Sequence, residues 1–152
     1  MRVRASMAAA CALALLACSC GSASVPAHAR EHIRATVLTF MRELAAGNGR
    51  VACEGLTDAG QNSAIGALGP ELANFGIDTC AQTVQITGAQ LSAKLRRELL
   101  SVRVGSISVS GNTASVRWSQ IASPDGDVAA FFHRHGAVRL LYKNGFWFID
   151  SL

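Results

Sequence analysis

The sequence predicts an α+β fold in which N-terminal helices pack on a curved antiparallel sheet. Three observations indicate this class: apolar residues recur with a helical period up to residue 100, the period changes toward two after Val102, and an Asn-Gly pair near the end is typical of a hairpin. The chain has 152 residues, of which 50% are hydrophobic and 16% charged. This is enough for one domain with a sizeable core.

The first residues follow the order of a secretory signal. Arg2 and Arg4 form a short positive segment, an apolar run extends from Met7 to Ala17, and small residues surround Cys18. The run is much shorter than the roughly 20 residues that cross a bilayer as a helix. We therefore expect residues 1–17 to be a cleaved signal peptide.

A cysteine directly after the apolar run indicates that this signal is that of a lipoprotein. Leu15-Leu16-Ala17-Cys18 resembles a bacterial lipobox, in which the cysteine becomes the acylated first residue of the mature protein. We expect a lipid anchor at Cys18, a flexible tether over residues 18–29, and an extracytoplasmic protein held on the outer face of the bacterial cell membrane. The alternative is an ordinary cleaved signal, since Ala27-x-Ala29 offers a cleavage site before Arg30.

The charge balance argues against a nucleic-acid partner. The formal net charge is +4, and twelve basic residues against ten acidic ones remain once Arg2 and Arg4 leave with the signal. The basic residues are scattered, with Arg96-Arg97 as the only adjacent pair, and no basic stripe with interleaved aromatic residues is present.

The five cysteines predict one disulfide. Cys11 leaves with the signal and Cys18 is assigned to the lipid, whereas Cys53 and Cys80 lie in the folded part of an exported chain, where oxidation is favoured. We expect Cys53 and Cys80 to pair, and two buried free thiols are the alternative. Cys20 is left over in the tether, where it is either free or otherwise modified.

The first long helix is predicted over residues 28–46, and Gly47-Asn48-Gly49 ends it. Its apolar residues share one face at helical spacing: Ile33, Val37, Phe40, Met41 and Leu44. Between residues 50 and 100 we expect four short helices separated by glycines. The first of them begins at Val51, and the second is capped by Thr57-Asp58 and ends near Leu68. The third is capped by Asp78-Thr79 and is expected to break at Gly88. The fourth starts near Gln90 or Ser92 and carries Leu91, Leu95 and Leu99 at helical spacing.

The remainder is predicted to form antiparallel strands. The alternation of Val102 and Val104 slips between Gly105 and Val109, which indicates a bulge or a bend. A tight turn follows at residues 110–113, and the alternation then resumes through Ala114, Val116 and Trp118. We expect a third strand near Val128 to His135 and a fourth from Ala137 to Lys143.

Asn144-Gly145 fits a two-residue type I′ turn and fixes the register of the last hairpin. The predicted pairs are Lys143 with Phe146, Tyr142 with Trp147, Leu140 with Ile149, and Arg139 with Asp150. One face, expected to be the inner one, then carries Val138, Leu140, Tyr142, Trp147 and Ile149. The outer face carries Leu141, Phe146 and Phe148 together with Arg139, Lys143 and Asp150.

In this order, the elements resemble the nuclear transport factor 2-like superfamily, a cone fold that includes ketosteroid isomerases and scytalone dehydratases. Within it, the chain is most similar to small lipoproteins of high-GC Gram-positive bacteria. The matching features are the helix end Phe40–Gly47, the Cys53/Cys80 pair, the hairpin Ser110–Ala114 and the closing segment Gly145–Leu152. The resemblance implies one cone-like domain over residues 30–152, on a fold that hosts enzymes, binders and scaffolds alike.

The leading functional expectation is a non-catalytic envelope lipoprotein whose cone binds a small apolar ligand. The candidate lining residues are Trp118, Val138, Leu140, Tyr142, Trp147 and Ile149, and the alternative is that they simply form the helix–sheet core. A second expectation is a protein-interaction module that forms a homodimer through the exposed residues Leu141, Phe146 and Phe148.

An isomerase or dehydratase is the third alternative. Such an enzyme needs an acid–base group in an apolar cone, but Tyr142 is the only tyrosine and Asp150 is expected to point away from it. His133-x-His135 would place two imidazoles on one strand face, although no third metal ligand is visible. We therefore expect no catalytic residue, no metal site and no cofactor.

Overall fold

A computed structural model describes residues 27–132 and 136–152. The architecture is α+β, as predicted, with helices first in the chain and a curved antiparallel sheet of four strands after them. The expected signal peptide, Cys18, Cys20 and the pair His133 and His135 lie outside the described residues.

Six helices are present in the described part of the chain: α1 (Ala29–Ala46), α2 (Gly49–Glu54), α3 (Asp58–Leu68), α4 (Cys80–Gln90), α5 (Ala93–Leu100) and α6 (Asp127–Phe131). The caps at the starts of α3, α4 and α5 follow the sequence signals. The hydroxyls of Thr57, Thr79 and Ser92 accept hydrogen bonds from backbone N–H groups in the first turns of these helices. A 3₁₀ turn at Leu72–Phe75 links α3 to α4.

The prediction that Gly88 breaks the third short helix is wrong, because α4 continues to Gln90. Gly88 instead allows α4 to lie directly against the end of α1. A Cβ atom at Gly88 would stand 2.5 Å from the Cα of Gly47 and 2.6 Å from the carbonyl oxygen of Leu44. Arg96 joins the same two helix ends, since its guanidinium donates to the carbonyls of Ala45 and Gly88 at 2.6 and 2.9 Å.

The strands are β1 (Arg103–Val104), β2 (Ser108–Ser110), β3 (Thr113–Arg117), β4 (Ile121–Ala122), β5 (Ala137–Lys143) and β6 (Phe146–Ser151). The four-stranded sheet has the order β2-β3-β5-β6, and β1 pairs separately with β4. The slip in alternation near Gly105 thus marks the point where the chain leaves the small sheet and enters the large one. Trp118 does not continue β3 but begins a 3₁₀ turn, where it stacks on Phe132 at 4.6 Å between ring centroids.

The predicted third strand near Val128 to His135 is wrong, because residues 127–131 form α6. Val128 and Phe132 are both buried, and their spacing of four residues fits a helix as well as it fits a strand face. Two alanines between them favour the helix. Asp127 at its first turn also pairs with Lys94 at 2.7 Å, and this hydrogen-bonded pair raises the pKa of the lysine.

The last hairpin has the predicted register for three of its four pairs. Asn144 and Gly145 have positive φ values of 52° and 88°, as a type I′ turn requires. The fourth pair, Arg139 with Asp150, is wrong because a bulge inserts Asp150 and pairs Arg139 with Ser151. The carboxylate of Asp150 accepts a hydrogen bond from the Thr57 hydroxyl at 2.7 Å, so the bulge joins the sheet to the start of α3.

The core lies between α1 and the inner face of the sheet. All five apolar residues predicted for the buried face of α1 are at most 2% exposed. Val116, Val138, Leu140 and Ile149 face them from the strands and are equally buried. The residues that the helix period and the hairpin register place on inner faces therefore form one hydrophobic cluster.

The Cys53–Cys80 disulfide predicted from the sequence is formed and joins α2 to α4. Both cysteines are buried, at 6% and 3% exposure. Beside them Gly49 lies so close to α4 that a Cβ atom would collide with the backbone of Ala81. The disulfide thus connects two helices that already pack backbone to backbone.

Candidate functional site

The six residues proposed to line a cone are found in or against the hydrophobic core. Trp118, Val138, Leu140, Trp147 and Ile149 are each at most 5% exposed, and Tyr142 packs against them as a half-buried residue. They therefore pack as part of the helix–sheet core, which is the alternative that the sequence left open. Of the six, Trp147 also borders an open groove on the surface.

This groove, which we call the edge groove, runs beside β6 where α1 and α2 pass that strand. It has a volume of about 560 Å³ and a predominantly apolar lining. Its residues are Glu31, His32, Ala35, Thr36, Thr39 and Phe40 of α1, Val51 and Ala52 of α2 with Gly55 after it, and Phe146, Trp147 and Phe148 of β6. Its volume lies within the range of about 300–1,000 Å³ that is common for small-molecule sites.

Small side chains on α1 keep the edge groove open. Ala35 and Thr39 are exposed, and Thr36 is half-buried beside them. These three residues lie on the face of α1 adjacent to its buried face, so the buried apolar residues of the helix remain in the core. Phe40, which is 2% exposed, forms the deep end of the groove.

Aromatic side chains form the opposite wall. Phe146 is 68% exposed and Phe148 is half-buried, and both side chains lie on the outer face of β6. Trp147 between them faces the core, where its ring lies 5.2 Å from the ring of Tyr142. The indole N–H of Trp147 is buried and has no hydrogen-bond partner within the described residues. A buried donor without a partner is uncommon in proteins.

The backbone of β6 also borders the groove. The Thr36 hydroxyl stands 3.3 Å from the carbonyl oxygen of Trp147 and 3.0 Å from that of His32. Further along the same edge, Ile149 pairs with the extended segment 55–57, which forms a parallel bridge at Leu56. The groove is therefore bounded by one strand edge that is only partly covered.

The ionisable groups of the edge groove are Glu31 and His32, and both are exposed. Glu31 pairs with His28 at 3.1 Å across one helical turn. The Tyr142 hydroxyl forms no hydrogen bond with a carboxylate or an imidazole in the described part of the chain. This arrangement provides apolar surface and hydrogen-bonding edges, and it offers no paired acid and base around a buried substrate position.

Among residues 27–132 and 136–152, no helix combines the length and the apolar composition that crossing a membrane requires. Nor do three His, Cys, Asp or Glu side chains come together there as a group that could hold a metal ion.

Sequence patterns did not reveal the edge groove. Its residues lie in α1, in and just after α2, and in β6, and more than 90 positions of sequence separate the two helices from Phe146. The available signal was the exposed face of α1 that carries His32, Ala35, Thr36 and Thr39, which is unusually small and uncharged beside the arginines of the same helix.

Comparisons with protein-family models, with curated proteins and with solved structures gave no match for this chain.

Proposed function

We propose that this protein is a non-catalytic binding module of the bacterial cell envelope, with a cone-type fold like that of the nuclear transport factor 2-like superfamily. A lipid on Cys18 holds it at the outer face of the membrane, and the edge groove binds an apolar ligand. The observation that carries the proposal is the open apolar groove with an exposed Phe146 at its rim. An exposed large apolar side chain beside a concave apolar surface is typical of a binding site.

In this proposal the ligand binds at the edge of the sheet and not at the centre of the cone, where the sequence led us to expect it. The residues first expected to line a cavity contact one another and α1 in the core. Trp147 belongs both to the core and to the lining of the groove. A ligand in the groove would therefore change the surroundings of Trp147 without opening the core.

The position of the groove suits a membrane-anchored protein. The helix α1 starts at Ala29, and the first groove residues, Glu31 and His32, lie in its first turn. His28 lies ten positions after Cys18, and a fully extended chain would separate the two residues by at most about 35 Å. The groove would then work close to the membrane surface, where apolar ligands are concentrated.

The groove can be tested with N-phenyl-1-naphthylamine, a neutral apolar dye. The chain has two tryptophans, so the Trp118→Phe variant leaves Trp147 as the only donor for energy transfer to the dye. We expect saturable transfer in the full chain held in lipid nanodiscs, after subtraction of the signal from empty nanodiscs. A second substitution, Ala35→Arg, fills the groove and should weaken dye binding by about tenfold or more, since it replaces apolar contact with a bulky charge.

Ala46→Arg is the matched control, because Ala46 is an exposed alanine on the same helix and lies outside the groove. It should leave the dye titration unchanged. Equal titrations for the Ala35→Arg and Ala46→Arg proteins would reject the edge groove as the binding site.

The anchor is tested by Cys18→Ala in the producing bacterium. We expect the variant to be released into the medium or to remain unprocessed, because the acylated residue is lost. Cys20→Ala is the control and should stay in the membrane fraction. Membrane partitioning of the Cys18→Ala protein that equals that of the unaltered chain would refute the anchor.

A homodimer is the second candidate function, and Phe146 favours it as well. Leu141 and Phe148 pair across β5 and β6 on the outer face, and Phe146 extends this apolar surface. A second copy would cover these three side chains. Sedimentation of the full chain in detergent tests this, and a strictly monomeric mass at high protein concentration would reject it.

A further inference from the structure

The free edge of β6 presents main-chain hydrogen-bonding groups to the edge groove. Lys143 and Phe146 close the two-residue turn, so successive residues of β6 alternate between facing β5 and facing away from it. Ile149 faces away, since its N–H donates to Gly55 and its carbonyl accepts from Thr57, both at 2.9 Å. Trp147 lies two residues earlier and therefore directs its N–H and C=O to the same side.

This edge already accepts one extended main chain. The segment 55–57 runs parallel to β6 and forms a bridge between Leu56 and Ile149. Before Gly55 the chain belongs to α2, so the same pairing does not extend back to Trp147. The strand edge thus continues beyond its intramolecular partner and into the edge groove.

The main-chain groups of Trp147 are incompletely bonded. Within the described residues its N–H donates to no group outside the sheet and points away from β5, and its carbonyl receives the Thr36 hydroxyl at 3.3 Å. That hydroxyl has a single proton and lies closer, at 3.0 Å, to the carbonyl of His32 in its own helix. An incoming N–H group can take the Trp147 carbonyl while Thr36 keeps its bond to His32.

The side chains around this edge suit alternate residues of an added strand. Phe146 and Phe148 flank Trp147 on the outer face and provide apolar contact there. On the side of α1, the exposed Ala35 and Thr39 leave room for residues that point the other way. An added strand requires two such rows, because its successive side chains point to opposite faces.

We propose that the occupant of the edge groove is an extended peptide segment with apolar residues at alternate positions, which adds its main chain to β6 at Trp147. This is strand addition, in which main-chain hydrogen bonds supply affinity and alternate side chains supply selectivity. The inference rests on the proposed function, since it names the class of ligand for the same groove. A flexible hydrocarbon would fill the groove but would offer no acceptor to the Trp147 N–H and would add no hydrogen bond to its carbonyl beyond that from Thr36.

The test uses a fluorescein-labelled peptide of sequence Ser-Val-Thr-Val-Thr-Val-Ser and two N-methylated forms of it. One form carries N-methyl groups on the valines and the other carries them on the threonines, so each form blocks the N–H groups along one edge of the extended peptide. Binding to the full chain in nanodiscs is followed by fluorescence anisotropy, with empty nanodiscs as the blank. The dye titration described above is run on the same samples.

We expect the unmodified peptide to bind and to displace the dye. One methylated form should bind about tenfold more weakly, and the other should bind within about threefold of the unmodified peptide, because only one edge pairs with β6. Ala35→Arg should weaken peptide binding, and Ala46→Arg should not.

Two results would overturn the inference and leave the proposed function in place. In the first, the dye binds in an Ala35-dependent manner but the peptide does not bind. In the second, the peptide binds but both methylated forms lose affinity equally, so that no main-chain edge is selected. Failure of the dye and the peptide together would remove the proposed function as well.

Discussion

The helical half, residues 29–100, and the strand half, residues 103–151, are held together in different ways. The helices meet through close backbone contacts at glycines and through the Cys53–Cys80 disulfide, all of which join distant positions in the chain. The large sheet depends on a local turn that sets the register of β5 and β6. The helical half is thus fixed by long-range contacts, whereas the β5–β6 hairpin takes its register from a short-range turn.

The edge groove lies where these two halves meet. Its walls come from α1 and α2 on one side and from β6 on the other. The junction itself is tight, since a Cβ atom at Gly60 of α3 would collide with the carbonyl oxygen of Ile149. Three changes to the chain, taken from the largest expected effect to the smallest, separate the contributions of the two halves.

The largest effect is expected from removing the disulfide with Cys53→Ala and Cys80→Ala together. Closing a loop over a separation of 27 residues restricts the unfolded chain. Its loss should lower the free energy of unfolding by roughly 3–4 kcal/mol in the chain-entropy model. Urea unfolding followed by circular dichroism measures this value. A loss below about 1 kcal/mol would show that the helical half does not depend on the cross-link.

An intermediate effect is expected for Gly88→Ala. The added methyl group would press on the backbone of Gly47 and Leu44, which cannot move without shifting the end of α1. Overpacking of this kind costs roughly 1–3 kcal/mol. Gly66→Ala is the matched control, because Gly66 is also helical but has no atom within 4 Å of the added Cβ position.

The control should raise the free energy of unfolding by about 0.5–1 kcal/mol, since alanine is the better helix former. Opposite signs for the two glycine substitutions in the same urea experiment would confirm the close contact between α1 and α4. Stabilisation by both would contradict it.

The smallest effect is expected in the strand half, for Gly145→Ala. Gly145 has a φ of 88°, and forcing alanine into a left-handed conformation costs about 1–2 kcal/mol. Asn144→Gly keeps the turn type and should change the unfolding free energy by only a few tenths of a kcal/mol. If Gly145→Ala proved as stable as the unaltered protein, the type I′ turn would not be what fixes the register.

Local signals predicted much of the fold. The buried face of α1, the caps at Thr57 and Thr79, and three pairs of the last hairpin each depend on residues that are close in sequence. For the disulfide, the expected export of the chain was the deciding argument. These features could be predicted because few competing structures satisfy the same local pattern.

The errors share a different cause. The helix α6 was mistaken for a strand because Val128 and Phe132 fit both periods, and the bulge at Asp150 depends on Thr57, 93 residues away. Gly88 resembles a helix breaker in the local sequence, which does not show that the residue packs against the distant Gly47. The edge groove escaped prediction for the same reason, since only the folded chain brings α1, α2 and β6 together.

We expect a ligand to enter the edge groove beside Trp147 and to leave the interior of the sheet undisturbed. Labelling the full chain with ¹⁵N in tryptophan alone gives one backbone and one indole signal for each of Trp118 and Trp147. On titration with N-phenyl-1-naphthylamine, both signals of Trp147 should shift while those of Trp118, stacked on Phe132, stay in place. Shifts confined to Trp118, or no shift of Trp147 at saturation, would contradict the account.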